Sequence, residues 1–274
     1  MSHALTGQFQ DFKARYSDAE FVDWHALADV VLTQLAELSS PAKVVAVSGS
    51  QGSGKSTLAA ILGASLPHAA PVSIDDFYLT KAQRQHLAES VHPLLATRGV
   101  PGTHDTAWLQ EVLAAVRCGQ LRQVPHFDKG ADDRAGQHDF ADEVMILEGW
   151  CVGVTPQASA DLDDPVNRLE AEQDTERVWR TWVNQQIVQD YLPLWQEVDF
   201  WIHLKAPGFA QVLEWRSQQE AGLPEAQRMS ADALEQFVMH YERLTRHMWL
   251  SPLAGPGIAV TLDSSHQVMA LETV

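Results

Sequence analysis

Two hydrophobic rhythms alternate along the chain. Phe9, Phe12 and Tyr16, then Phe21, Trp24, Leu27, Ala28, Val31, Leu32 and Leu35, recur at the spacing of one helix face. They predict helical segments over residues 1–40, ended by Pro41. Val44 to Val47 then forms a short, unbroken apolar run, the pattern of a strand buried on both faces of a parallel sheet. Similar runs at Pro71 to Ile74, Val144 to Leu147, Phe200 to Leu204 and Ile258 to Leu262 predict four more strands. Helical patterns fall between them, at Ser56 to Leu66, Leu109 to Val116, Arg177 to Tyr191 and Ala231 to Trp249.

Strands alternating with helices predict an α/β chain with a mainly parallel sheet between helical layers. There is no internal repeat, and the acidic stretch Ala158 to Gln173, with Pro165 inside it, reads as a surface connection. Residues 1–40 are expected to pack as a helical segment on a core of residues 41–274, one domain overall. Ligands of parallel sheets gather at the carboxyl ends of strands. The informative tails are therefore Gly49 onward, Asp75-Asp76 and Glu148-Gly149.

The first tail is specific. Gly49, Ser50, Gln51, Gly52, Ser53, Gly54, Lys55 and Ser56 fit G-x-x-x-x-G-K-[ST] without a mismatch, and Thr57 follows. The glycines let successive N–H groups turn inward and form an anion nest. The helix that follows adds its positive end. The Lys55 ammonium reaches the β- and γ-phosphates, and the Ser56 hydroxyl is a Mg²⁺ ligand. The loop is therefore expected to hold a nucleoside triphosphate, ATP with Mg²⁺. A guanine-reading N-K-x-D and an LSGGQ-like signature are both absent from the sequence, which argues against a GTPase or a transporter ATPase. A small-molecule kinase is the expected class.

Charge and composition narrow the partners. The formal net charge of −17 repels nucleic acid and anionic membranes, so neither is an expected partner. It does not oppose a small phosphate compound, because distant charge is screened beyond about 8 Å. No apolar run approaches the roughly 18 residues of a membrane span, and the N-terminus lacks a secretory pattern. Only Cys118 and Cys151 are present, so a reducing cytoplasm is the expected setting. His25, His68, His86 and His240 show no metal-ligand spacing.

The other two tails supply acids. Asp75 ends the second strand about twenty residues after the phosphate loop, and a carboxylate there can orient or deprotonate an acceptor hydroxyl. A turn or helix-capping aspartate is the plainer alternative. Glu148 emerges from the central run Val144 to Leu147 and can hold Mg²⁺ directly or through water. Between them lies Arg98-Gly-Val-Pro-Gly-Thr-His104-Asp105, where Arg98 and His104 are candidate binders of an acceptor anion and Thr103 or Asp105 caps the helix that follows. The segment Val124 to Arg134, with His126 and Arg134, reads as a polar surface loop when taken alone. The tryptophans read mostly as core, with a place in the pocket wall the alternative for Trp150, beside Glu148.

Taken together, GSQGSGKST, SIDDFYLT, RGVPGTHD, VPHFDKG-ADDR and ILEGWCVG resemble, in this order, the D-glycerate 3-kinase family of P-loop kinases, itself similar to the uridine kinase, phosphoribulokinase and pantothenate kinase group. The resemblance runs from about residue 40 to the end. It implies a P-loop three-layer α/β/α sandwich with a helical lid, and transfer of the γ-phosphate of ATP to the 3-hydroxyl of D-glycerate. It places the base and a metal ligand at Asp75, a further metal ligand at Glu148 beside Ser56, and a catalytic lid arginine at Arg216. The acceptor side is expected to draw on Asp76, Tyr78, Arg98, His104, Asp105, His126 and Arg134. One departure is His126, which stands where the family usually has an arginine. Rival expectations are the same fold with a nucleoside, pantothenate or phosphosugar as acceptor, and a nucleotide-binding regulatory protein with little turnover.

Overall fold

The computed structural model describes residues 2–17, 19–225 and 228–273. Met1 and Asp18, inside the segment predicted as helical, lie outside the described residues. Among the described residues eight strands are formed: β1 (Val44–Gly49), β2 (Ala69–Ser73), β3 (Arg122–Asp128), β4 (Asp133–Phe140), β5 (Val144–Gly149), β6 (Phe200–Lys205), β7 (Gly257–Leu262) and β8 (Val268–Thr273). Six of them make one sheet in the order β2-β5-β1-β6-β7-β8. β2, β5, β1, β6 and β7 run parallel, and β8 returns antiparallel at the edge. β1 is buried along its whole length because helices cover both faces of the sheet. Pro71 is tolerated in β2 because that strand is the opposite edge and pairs only with β5.

Ten helices flank the sheet among the described residues: α1 (Ser2–Arg15), α2 (Val22–Ala36), α3 (Lys55–Ser65), α4 (Lys81–Ser90), α5 (Thr106–Arg117), α6 (Arg168–Gln173), α7 (Val178–Gln186), α8 (Leu192–Trp195), α9 (Phe209–Ala221) and α10 (Ala231–Leu250). Two apolar cores result, one on each face. The first joins Ala46, Leu147 and Trp201 to Leu109, Leu113, Tyr191 and Tyr241. The second joins Val45, Val47 and Ile202 to Leu58, Leu62 and Trp215, and takes Phe9, Trp24, Leu27 and Val31 from the N-terminal helices. This layered, mainly parallel sheet is the α/β/α sandwich that the sequence predicts. The segment expected as a lid is α9, packed against α10.

Several elements differ from expectation. Val124 to Arg134 is part of an antiparallel hairpin, β3–β4, rather than a loop. Val124 and Phe127 are buried, while a register shift between Pro125 and Phe127 breaks the alternation that would mark a strand. Ile74 does not extend β2; it opens a 3₁₀ turn, Ile74–Phe77, whose Asp75 N–H donates to Ser73 Oγ at 3.3 Å. The helix predicted over Arg177 to Tyr191 is α7 followed by a π-helical turn, Ile187–Tyr191, and then α8. Nor is Ala158 to Gln173 a surface connection. Leu162, Leu169 and Glu170 are buried, and Arg243 of α10 clamps the segment through Glu170 (2.6 Å) and the carbonyls of Asp161 and Asp164 (2.7 and 2.6 Å).

Candidate active site

The register of the sheet brings the three tails together. Val47 of β1 sits opposite Glu148 of β5, and Ser73 of β2 pairs with Glu148 from the other side. The phosphate loop, the Asp75 turn and Glu148 therefore leave the sheet side by side.

The loop itself is shaped by two glycines and by what lies behind them. Gly52 and Gly54 hold φ of +76° and +90°, a region that side chains resist. A Cβ on Gly52 would lie 2.5 Å from Trp215 Cβ, and one on Gly54 would lie 2.6 Å from the Trp24 ring. Trp215 stacks on His266 (4.2 Å between ring centroids), and His266 Nε2 lies 2.7 Å from the Gly52 carbonyl oxygen. α3 starts at Lys55, directly after Gly54.

Polar atoms around the loop are buried without partners among the described residues. Ser50 Oγ, Ser53 Oγ, Gln51 Oε1 and Glu148 Oε2 all lack one. Such groups are costly to leave unmatched, so their clustering marks a site shaped for a polar ligand. Ser56 Oγ donates to Glu148 Oε1 at 3.1 Å, which leaves Oε2 free. A hydroxyl beside a carboxylate with an open oxygen is a hard, oxygen-only donor set, and it fits Mg²⁺.

Asp75 is the electrostatic focus. Its Oδ1 accepts from the Tyr78 hydroxyl and its Oδ2 from Lys129 Nζ, both at 2.7 Å. Burial alone would raise its pKa, but the charges of Lys129 and Lys55 outweigh that and bring it down to about 2. Asp75 is thus a fixed carboxylate at neutral pH. Burial and the Asp75 charge together push the Tyr78 phenol far above its ordinary value, so it stays a donor.

The predicted acceptor residues separate into groups. Asp76 accepts from the Phe127 N–H at 3.1 Å and lies 3.4 Å from His126 Nδ1, so these two meet at the hairpin. Arg98 reaches Asp132, which also binds the fully buried Arg84, and it donates to the Lys129 carbonyl at 3.3 Å. Arg134 donates to the Tyr78 carbonyl (3.0 Å) and to Asp105 (2.8 Å), and covers the Trp108 ring. Asp105 caps α5 by accepting from the Trp108 N–H, as the capping alternative held.

His104 does not supply the positive charge expected of it. It is buried, stacked on Tyr78 and in contact with the Tyr191 hydroxyl at 2.6 Å. Burial lowers its pKa to about 4, so it is neutral at physiological pH. Trp150 is core rather than pocket wall: it is buried, and its Nε1 donates to the Gly99 carbonyl at 2.9 Å. Arg216, on α9, pairs with Glu220 at 2.7 Å and lies over the Phe237 ring; burial pushes the Tyr241 phenol up, Asp75 adds to that, and the charges of Arg98 and Arg216 oppose it.

Lys129 was not among the predicted site residues, although its position in the hairpin puts it on Asp75. No local signal marks it: only tertiary contact turns Phe127, two residues earlier, and with it the hairpin onto the Asp75 turn. Trp215 and His266 were also missed, because they support the loop from segments some 160 and 210 residues later in the chain.

Comparison with known proteins agrees with this geometry. No model of a known protein family matches the chain. The chain is 35% identical over 218 residues to the uncharacterized kinase mug58 of Schizosaccharomyces pombe, covering 72% of this chain and 78% of that protein. It is 34% identical over 134 residues to a pantothenate kinase of a Shewanella species, covering 47% of this chain and 41% of that one. Among solved structures, the D-glycerate 3-kinase of Cryptococcus neoformans superposes with a TM-score of 0.75 at 26% identity, over 92% of this chain and 99% of that one. Phosphate loop, strand order and relatives point the same way: the chain belongs to the D-glycerate 3-kinase family of P-loop kinases.

Proposed function

We propose that the protein transfers the γ-phosphoryl group of ATP to the 3-hydroxyl of D-glycerate. The observation that carries the transfer is the convergence of the phosphate loop, the Ser56–Glu148 pair and the ionised Asp75 at adjacent strand ends. The choice of glycerate is supported by the solved D-glycerate 3-kinase, which aligns along nearly the whole chain.

In this reading the N–H groups from Ser50 to Ser56 and the Lys55 ammonium grip the triphosphate. Ser56 and Glu148, with Asp75 near them, would hold magnesium. That ion, when bound, supplies positive charge that offsets the negative charge of the phosphates. Asp75, fixed by Tyr78 and Lys129, accepts the hydrogen bond of the acceptor hydroxyl and aims its oxygen at the γ-phosphorus. A bond from that oxygen to phosphorus forms as the bond from phosphorus to the β–γ bridging oxygen breaks. The products are a phosphorylated acceptor and ADP, and the hydroxyl proton leaves through Asp75. Arg216 would add charge from α9 and help to exclude water, which competes as acceptor. Positioning and electrostatics supply nearly all of the rate. A cytoplasmic setting, with neither nucleic acid nor membrane as partner, fits the formal net charge of −17 and the two unpaired cysteines. Among the described residues no helix is long and apolar enough to cross a membrane.

A coupled ADP-release assay over a panel of hydroxyl compounds tests the reading. Glycerate should give the fastest acceptor-dependent release. Release driven by a nucleoside, pantothenate or a phosphosugar, with glycerate silent, would reassign the acceptor. Nucleotide binding without any acceptor-stimulated release would favour a regulatory role.

A further inference from the structure

The acceptor proposed for this site carries a carboxylate, and several of the basic side chains around Asp75 are already engaged. Arg98 is held by Asp132, which is itself gripped by the buried Arg84 through both carboxylate oxygens (3.1 and 2.9 Å). Arg134 is spent on the Tyr78 carbonyl, Asp105 and the Trp108 ring. His104 is buried and bonded to Tyr191. Lys55 opens α3 and belongs to the phosphate loop.

Lys129 differs from all of these. Its ammonium has one partner among the described residues, Asp75 Oδ2 at 2.7 Å, and its side chain is 61% exposed. An ammonium has three donors, so two remain. The backbone beneath it is fixed. Asp128 Oδ1 accepts from the N–H groups of Gly130 and Ala131 (2.8 and 3.1 Å), Phe127 is buried and bonded to Asp76, and the Lys129 carbonyl takes a donor from Arg98. The charge is thus mounted on an anchored turn at the end of a free stem.

We infer that Lys129 is the specificity-determining residue of the acceptor site: the acceptor's hydroxyl docks on Asp75 while its carboxylate takes the free donors of Lys129. The inference rests on the kinase reading above and adds the group that recognises the substrate class. Because Asp75 and Lys129 touch, the two functional groups of the acceptor must also be near neighbours, as in a small hydroxycarboxylate. An acceptor whose anionic group is many bonds from the phosphorylated hydroxyl does not match this spacing. A neutral polyol leaves the two donors unused.

The experiment compares wild type, Lys129→Met and Lys129→Arg. It reads kcat and KM with glycerate and with glycerol, the Kd of glycerate by calorimetry with a non-hydrolysable ATP analogue, and the Kd of MgATP as a check on the fold. A charge-assisted hydrogen bond to a carboxylate is worth about a 10- to 100-fold change in binding. The preference for glycerate over glycerol, as a ratio of kcat/KM, should fall by about that factor in Lys129→Met. The loss should lie in glycerate KM and Kd, and Lys129→Arg should recover part of it. An equal loss on both acceptors, carried by kcat with glycerate Kd intact, would overturn the inference, because Lys129 would then act only through Asp75. Wild-type protein that binds MgATP yet turns over neither acceptor would instead overturn the glycerate reading on which this one rests.

Discussion

Substituting alanine for Gly52 tests whether the shape of the phosphate loop is what the neighbouring side chains enforce. Two costs add. An L-residue at φ +76° is in the left-handed region, at about 1–2 kcal/mol. The new Cβ also meets Trp215 Cβ at 2.5 Å, against a comfortable separation of about 3.5–4.0 Å. Trp215 cannot yield easily: it is buried, stacked on His266, and its Nε1 donates to the Ser264 carbonyl at 3.0 Å. The loop must therefore retreat by about 1 Å, and a misplacement of that size can cost about 100-fold in rate. We expect Gly52→Ala to lower kcat/KM for nucleotide by about two orders of magnitude and to weaken MgATP binding in calorimetry. Gly119 provides the control. Its φ of +63° is comparable, and nothing lies within 4 Å of an added Cβ. Gly119→Ala should show the backbone cost alone, as a melting temperature a few degrees lower, with unchanged kinetics. If Gly52→Ala binds and turns over nucleotide like wild type, the loop is not moulded by Trp215 and His266 as described.

Acid should destabilise the fold before it discharges Asp75. Burial brings His104 and His203 down to about 4, so between about pH 6.5 and 4 the unfolded chain binds protons that the folded chain does not, and stability falls with pH by a few kcal/mol in all. Asp75, at about 2 against 3.8 unfolded, contributes stability that is lost only below about pH 4, so it cannot cause that slope. Melting temperature measured from pH 7 to 4 should drop and should drop less in His203→Asn; a flat profile would contradict the burial argument. Arg243→Met should cost about 3–5 kcal/mol in denaturant unfolding, because it strands the buried Glu170 and two carbonyls. A change below about 0.5 kcal/mol would mean that the clamp on residues 158–174 is not what holds them.

The parts of this molecule that could be read from sequence are those whose cause is local. β1, β5, β6 and β7 are continuous apolar runs because helices bury both faces of the sheet, and each was predicted to within two residues. The phosphate loop was legible because its glycines, lysine and hydroxyl are contiguous. The hairpin was not. Its bulge and Pro125 interrupt the alternation, and only tertiary contact turns Phe127 inward. Lys129 was hidden with it, since nothing near position 129 indicates that its ammonium reaches a carboxylate 54 residues earlier. His104 was misjudged for the same reason: its sequence neighbours are polar turn residues, whereas Tyr78 and Tyr191, which neutralise it by burial, come from elsewhere in the chain. Glu170 looked solvated because its partner, Arg243, is 73 residues away.

Every role assigned to this site requires the loop from Gly49 to Ser56 to grip the phosphates of a nucleotide. Calorimetric titration of folded wild-type protein and Lys55→Ala with MgATP tests it most directly. Wild type should give saturable heat and the variant weakened binding, with an accompanying loss in turnover of about 2–4 kcal/mol of transition-state stabilisation. No heat from wild type at millimolar nucleotide, or an unchanged Kd and turnover in Lys55→Ala, would contradict it.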